Sequence, residues 1–375
     1  MKTFDVAIAG AGLIGGAIAV ELARAGLQVG LFDSAEPGHE ASWAGAGILS
    51  PAPETAASIP MVPLGRASLE LYPGFIAAIE ESSGQPCGFR AKGTLEAFFS
   101  ADAGRDLTTL LAIQHGLGLR AEPLGPEEAC EMEPALSPDV EAAALRPDEA
   151  SVDNRLLTPA VLKTAQRHGV EIFSGRGAKE IWRESSRCVG LVLDDERVAA
   201  KWTVVAAGCF SAGISGIESY APVLPAKGQM IALRSHAADI QRVLWSDRIY
   251  LVPRSHGRIL AGATVEHAGF DKRVTAGAVQ KLLSAAIDLV PGLADAQVEE
   301  TWAGLRPDTP DHLPILGPTD LEGLVIATGH FRSGILLAPV TAQLVREWIT
   351  SQRVSLDWEC FRPMRFLEAR RVTTV

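Results

Sequence analysis

The stretch that most limits what this chain can become is residues 4–33. Phe4-Asp5-Val6-Ala7-Ile8-Ala9 reads as a short buried strand that runs straight into Gly10-Ala11-Gly12-Leu13-Ile14-Gly15, after which apolar residues recur at helical spacing as far as Gly26. Gln28-Val29-Gly30-Leu31-Phe32 is a second strand, with Asp33 at its end. Each glycine has its own mechanical reason: Gly10 makes the tight turn, Gly12 lets a pyrophosphate approach the backbone, and Gly15 lets helix and strand pack closely. The helix N-terminus then faces the phosphates, and the Asp33 carboxylate can accept hydrogen bonds from a ribose. Strand, glycine turn, helix and acidic strand end together specify a Rossmann-like dinucleotide site. They do not distinguish NAD from FAD.

The 375 residues allow two domains, and 47% hydrophobic with 21% charged residues is ordinary globular composition. A net charge of −11 offers no basic field for a phosphate backbone, so nucleic acid is excluded as a partner. The apolar N-terminus is interrupted by Asp5 and carries glycines at fingerprint spacing, which argues for fold rather than an export signal. No run of about eighteen apolar residues free of Gly and Pro supports a membrane span. Cys87, Cys130, Cys188, Cys209 and Cys360 are scattered without a C-x-x-C pair, as expected of small buried hydrophobes in a reduced cytoplasm, with no metal site.

Beyond Asp33 lies Ala41-Ser42-Trp43-Ala44-Gly45-Ala46-Gly47-Ile48, too small in side chains for a core element and suited to a backbone laid against a flat ligand. Residues 64–82 are helical in pattern, interrupted at Pro73-Gly74. Residues 89–99 alternate like a half-buried strand and open a second region. A helix is expected over 106–117, a solvated acidic face over 122–133, and a strand over 142–146. Asp153-Asn154 caps a helix reaching His168, with Pro159 inside it, and strands follow at 170–173, 178–182 and 188–193. Trp202-Thr203-Val204-Val205-Ala206-Ala207-Gly208 is a fully apolar run ending in glycine, as in a central parallel strand whose end meets a ligand.

Residues 229–233, 249–252 and 258–264 read as antiparallel strands, 275–290 as an amphipathic helix, and 298–305 as a strand ending at Arg306. Leu324-Val325-Ile326-Ala327-Thr328 is the last core strand. Gly329-His330-Phe331-Arg332-Ser333-Gly334 then turns into a helix from Ile335, a second positive helix end for a ligand. The fold class is therefore α/β plus α+β. A Rossmann-like domain of residues 1–85, 153–218 and 315–375 is interleaved with a mixed, largely antiparallel domain of residues 86–152 and 219–314.

Three stretches carry a resemblance over nearly the whole chain: the segment 41–47, Gly304-Leu305-Arg306-Pro307-Asp308-Thr309-Pro310-Asp311, and the segment from Gly329 to Pro339. They resemble the D-amino-acid-oxidase-like flavoproteins, and within them the glycine oxidases linked to the thiazole of thiamin. The resemblance implies FAD, with Leu13 and Ile14 over the pyrophosphate, Asp33 and Ser34 on the ribose, and the backbone near Ala178 at the adenine. Ala41, Ser42, Ala46, Gly47 and Ile48 would line the flavin, with Gly208 nearby. His330, Phe331, Arg332, Ser333, Gly334, Ile335 and Leu336 would hold its pyrimidine end.

By the same resemblance Arg306 takes the substrate carboxylate, helped by Tyr250 and Arg332. A planar guanidinium suits that task, because it engages a carboxylate through two parallel charge-assisted hydrogen bonds. No cysteine stands between Arg306 and Arg332, so FAD is expected to be non-covalent. The implied reaction is oxidation of glycine, sarcosine or small D-amino acids by hydride transfer to flavin. An imine forms, then the 2-oxo acid, ammonia and hydrogen peroxide, with oxygen as co-substrate and a homo-oligomer as the assembly. The competing readings are a secondary-amine or D-proline dehydrogenase feeding a carrier, and a flavin-binding scaffold without turnover. Ile48 and Val265 stand where some relatives carry methionine, which alters pocket shape.

Overall fold

A computed structural model describes residues 2–53, 55–194 and 196–367; residues 368–375 of the last Rossmann segment lie outside the described residues. Strands from three separate stretches of chain make one eight-stranded sheet. Its central order is Ile315–Pro318, Leu324–Thr328, Arg197–Val205, Thr3–Ala9, Val29–Phe32 and Glu171–Phe173, all parallel except the edge strand Ile315–Pro318. Both faces are covered, which is why these strands are nearly continuous apolar runs. On one face, helices Leu13–Arg24, Val62–Ser83, Asn154–Arg167 and Ala338–Ser351 pack over Val6, Ile8, Leu31 and Val204. The hairpin Glu180–Glu184/Arg187–Val192 and residues Ile214 and Ile217 cover the other.

The second eight-stranded sheet runs Gln297–Asp308, Leu224–Arg234, Arg258–Gly262, Tyr250–Pro253, Val243–Trp245, Thr94–Phe98, Ala142–Arg146 and Glu122–Leu124. Only the pair Val243–Trp245/Thr94–Phe98 is parallel. Helix Ala276–Leu289 buries Leu282, Ala285 and Leu289 against Ile231, Leu233 and Leu251 on one face. The opposite face, with Met230, Tyr250, Val252 and Trp302, packs on Ala44 and Ala46. The small-residue segment is thus held between the two sheets.

Four local expectations need correction. Helix Val62–Ser83 is unbroken through Pro73: its face of Leu64, Ser68, Tyr72, Ile76 and Ile79 is buried, and that packing outweighs the one backbone bond a proline removes. The half-buried alternation over 89–99 yields a strand only at Thr94–Phe98. Glu133, in the region expected to be a solvated acidic face, is fully buried; its carboxylate accepts from the Gln241 backbone N–H (3.1 Å) and pairs with Arg242 (3.3 Å). Of the cysteines, Cys87, Cys188 and Cys209 are buried, but Cys130 is only partly so and Cys360 is exposed, because Phe361 takes the inward position of that turn.

Candidate active site

A cavity of about 1270 Å³ runs between the two sheets. That exceeds the usual range of a few hundred to about 1,000 Å³ for a single small ligand, and suits a dinucleotide with a small substrate beside it. It starts at the glycine turn, where Gly10, Gly12, Leu13 and Ile14 line it. Gly10 has φ +105°, and a Cβ there would lie 2.4 Å from the Ala206 carbonyl oxygen. Helix Leu13–Arg24 begins at Gly12, which offers no side-chain cap; the Ser42 hydroxyl oxygen instead accepts from Leu13 N–H at 2.9 Å. Gly15 does not line the cavity. A Cβ on it would sit 1.9 Å from the Gly10 carbonyl, so it serves the helix–strand contact the sequence assigned to it.

Asp33 fixes the turn. One carboxylate oxygen accepts from Ala11 N–H (2.8 Å) and the other from Ala35 N–H (3.0 Å), which leaves lone pairs on both for a ligand hydroxyl. Ser34 lines the cavity beside Gly177 and Ala178, and a Cβ on Gly177 would meet that of Ser34 at 2.5 Å. Gly208, at φ +54°, also lines it, with open space where a side chain would stand. Cys209 lines the same wall; burial pushes its thiol up to about 12, so it is a protonated, unreactive group at neutral pH.

Further along, Ala41, Ser42, Ala46, Gly47 and Ile48 form the wall, partly as the single helical turn Ala41–Ala44. His330, Phe331, Arg332, Ser333, Gly334, Ile335 and Leu336 also line the cavity, with Ile335 packed against Gly45. Helix Ala338–Ser351 begins at Ala338 rather than Ile335, so these residues meet the cavity as a compact turn and not as a first helical turn. Phe331 takes φ +45°, with its N–H donating to the Pro307 carbonyl at 2.8 Å, which docks the turn on the end of the Arg306 strand. Gly329 lies behind the lining, where a Cβ would strike Thr309 at 2.6 Å. His330 bonds through Nε2 to the Thr341 hydroxyl (3.1 Å); complete burial drives its pKa down to about 3, so the ring is neutral.

The far end is built on the second sheet. Glu96, Trp245, Tyr250, Gly262, Met230 and Trp302 are successive cross-strand partners, one row across six strands. Arg306, two residues beyond Gly304 on the edge strand, lies over Gly228: a Cβ at Gly228 would come within 2.3–2.5 Å of three guanidinium atoms. Its Nη1 donates to the Thr264 carbonyl at 3.1 Å. The adjacent Tyr250 hydroxyl is raised in pKa by burial, against which the Arg306 charge and hydrogen bond work to lower it. Burial lowers the pKa of Arg332, which also lines the cavity.

All three residues singled out for substrate therefore reach one cavity. The sequence reading missed Gly228, whose absent side chain makes room for Arg306, and the Glu96–Arg146–Glu149 group (2.9 and 3.3 Å) bordering the same space. Only the register of the second sheet brings these together.

A glycine turn with a ribose-competent acid at one end of a cavity and an arginine–tyrosine pair at the other defines a dinucleotide-dependent oxidoreductase. The chain belongs to the DAO family of FAD-dependent oxidoreductases, whose model matches residues 5–348. It is 34% identical over 370 residues to glycine oxidase of Geobacillus kaustophilus, covering 97% of both chains. It is 37% identical over 97% of its length to the bifunctional protein ThiO/ThiG of Synechocystis sp., of which it spans 54%. The crystal structure of the Geobacillus kaustophilus glycine oxidase superposes with a TM-score of 0.91 over 97% of this chain and 99% of that one, at 33% identity. FAD is thus the cofactor, and the features that fit it are the absence of side chains at Gly10 and Gly12, the remaining lone pairs on Asp33 and a cavity of dinucleotide size.

Proposed function

We propose that this chain oxidises glycine and other small amines, sarcosine and small D-amino acids among them, to the imine, with water then giving the 2-oxo acid and ammonia (methylamine from sarcosine) and oxygen giving hydrogen peroxide. The observation that carries the reading is Arg306, a fork seated over Gly228 and beside the Tyr250 hydroxyl, in the cavity that begins at the glycine turn. In this reading residues 1–85, 153–218 and 315–375 bind FAD. Leu13 and Ile14 serve the pyrophosphate, Asp33 and Ser34 the ribose, and the backbone near Ala178 the adenine. Residues 41–48 and 330–336 hold the flavin without a covalent link, while residues 86–152 and 219–314 present the substrate.

FAD bound there would supply the acceptor for a hydride from the substrate α-carbon and the route for its electrons to oxygen. The protein's share is orientation. Arg306 holds the carboxylate through two parallel bonds, and Tyr250 and Arg332 complete that grip and fix which hydrogen faces the cofactor. No side chain has to remove a proton if the amine binds neutral, and the neutral, Thr341-bonded His330 is not placed to act as a base. Turnover should therefore rise with pH until the bound amine titrates. A cytoplasmic homo-oligomer completes the reading.

The test is oxygen uptake and peroxide yield with glycine, sarcosine, D-alanine, D-proline and methylamine. One peroxide per glycine, with methylamine inert because it lacks the carboxylate, supports the proposal. Oxidation of D-proline alone without peroxide would replace it with the dehydrogenase reading.

A further inference from the structure

The wall segment 41–48 is held in an unusual way. Ser42, Ala44, Ala46 and Gly47 all line the cavity, yet their carbonyl oxygens are all bonded to groups that do not. Asn154 Nδ2 donates to Ser42 O (2.8 Å) and Trp43 O (3.0 Å), Trp302 Nε1 to Ala44 O (2.9 Å), Arg254 Nη2 to Ala46 O (2.6 Å), and Val152 N–H to Gly47 O (2.8 Å). The negative ends of these peptide dipoles thus point away from the cavity. Arg155 braces the same segment from outside, its guanidinium 3.5 Å from the Trp43 ring and 4.5 Å from that of Trp302. Asn154, Trp302 and Arg254 are all buried, so the arrangement is fixed by packing rather than by solvent.

Arg254 adds a cation whose counterion, the Asp153 carboxylate, lies at its Nε while its Nη2 faces the wall. Burial lowers its pKa to about 10 while Asp153 (3.5 Å) supports the charged form, so it is a cation at neutral pH. It sits directly behind the wall: a Cβ on Gly47 would lie 3.1 Å from Arg254 Nη2. A preorganised set of dipoles backed by a buried cation favours negative charge on whatever occupies the adjoining space.

We propose that Asn154, Trp302 and Arg254 form a carbonyl clamp that orients the 41–48 wall, and that Arg254 is a positioning residue which raises the reduction potential of the bound flavin. This rests on the reading that the flavin lies against residues 41–48. Reduction adds negative charge to the flavin, so a wall that favours negative charge binds the reduced form more tightly than the oxidised one, and each tenfold preference shifts a two-electron potential by about 30 mV.

The experiment compares wild type, Arg254→Met, Arg254→Lys, Trp302→Phe and Arg306→Lys as FAD-loaded proteins, measuring the flavin potential by dye equilibration, FAD dissociation, and acetate binding as a carboxylate probe of the substrate end. Arg254→Met should bind reduced flavin at least tenfold less well relative to oxidised flavin, which lowers the potential, with Arg254→Lys intermediate and acetate affinity unchanged. Trp302→Phe, which keeps the ring but removes one donor, should shift the potential by a smaller amount in the same direction. Arg306→Lys should weaken acetate and leave the potential alone. Unchanged potentials in both Arg254→Met and Trp302→Phe would overturn the clamp; if Arg254→Met does not fold, Trp302→Phe decides alone. Protein that holds no FAD at all would instead contradict the flavin reading beneath it.

Discussion

The two ends of the cavity are made of different materials. At the glycine turn space for the ligand comes from missing side chains: Gly10, Gly12 and Gly208 contribute none beside Leu13 and Ile14, and Asp33 is there as much to brace Ala11 and Ala35 as to meet a ligand. At the other end the surface is side chain, with Arg306, Tyr250, Trp245 and Glu96 standing on strands that are distant in sequence. At Gly10 almost no change is tolerated, because a new Cβ meets the Ala206 and Ala207 backbone. A side-chain site can be rebuilt one residue at a time, which suits a scaffold that keeps one cofactor and varies its substrate.

The largest effect should come from the backbone end. Gly10→Val places a branched residue at φ +105° and a Cβ 2.4 Å from the Ala206 carbonyl oxygen. Strain and overpacking of this kind each cost about 1–3 kcal/mol. The expected result is a lowered melting temperature and protein purified without flavin, read from the flavin-to-protein absorbance ratio. A stable, fully loaded Gly10→Val variant would erase the contrast between the two ends.

At the side-chain end, Arg306→Ala should leave the fold and the flavin in place but cut kcat/KM for glycine on the order of a thousandfold, since hydrogen bonds to charged groups contribute about 1.5–3 kcal/mol each. Arg306→Lys should recover part of this, as a point charge without the fork. Steady-state kinetics on holo-protein checks both.

A smaller effect separates the ends by pH. His330 has a folded pKa of about 3 against an ordinary value near 6.5, so between those values the unfolded chain binds a proton that the folded chain does not. Its contribution to stability is whole above pH 6.5 and is lost as pH falls towards 3. The melting temperature of wild type should therefore drop more steeply from pH 6.5 to 4 than that of His330→Gln, and parallel curves would show that the ring is not held neutral.

The smallest effect is expected at Val265, which lines the cavity but is half exposed. Val265→Met should change KM for sarcosine relative to glycine by no more than about threefold, because a flexible thioether adapts to the space it is given.

The same contrast explains what could be read in advance. Gly10, Gly12, Gly15 and Asp33 are legible because a tight turn, a close helix contact and a ribose each require one residue type at one spacing. Arg306 and Tyr250 became candidates through resemblance, and the strand patterns around them agree with the sheet that forms. Gly228 gave no such signal, since its importance depends on a guanidinium 78 residues away, brought near by the pairing of Gly228 with Gly304. Glu133 was misread for the same reason: an acidic, proline-marked stretch looks solvated until Arg242 and the Gln241 N–H are placed against it. Pro73 misled in the other direction, because local propensity yields to a helix face buried along its whole length.

The most direct test of the account is anaerobic addition of glycine to the purified flavoprotein, followed by admission of air. Bleaching of the flavin absorbance by glycine, its return in air and the appearance of one equivalent of peroxide are the predicted results. A flavin that stays oxidised with glycine, sarcosine and D-alanine alike would contradict the claim that Arg306 and the flavin serve one small-amine oxidation.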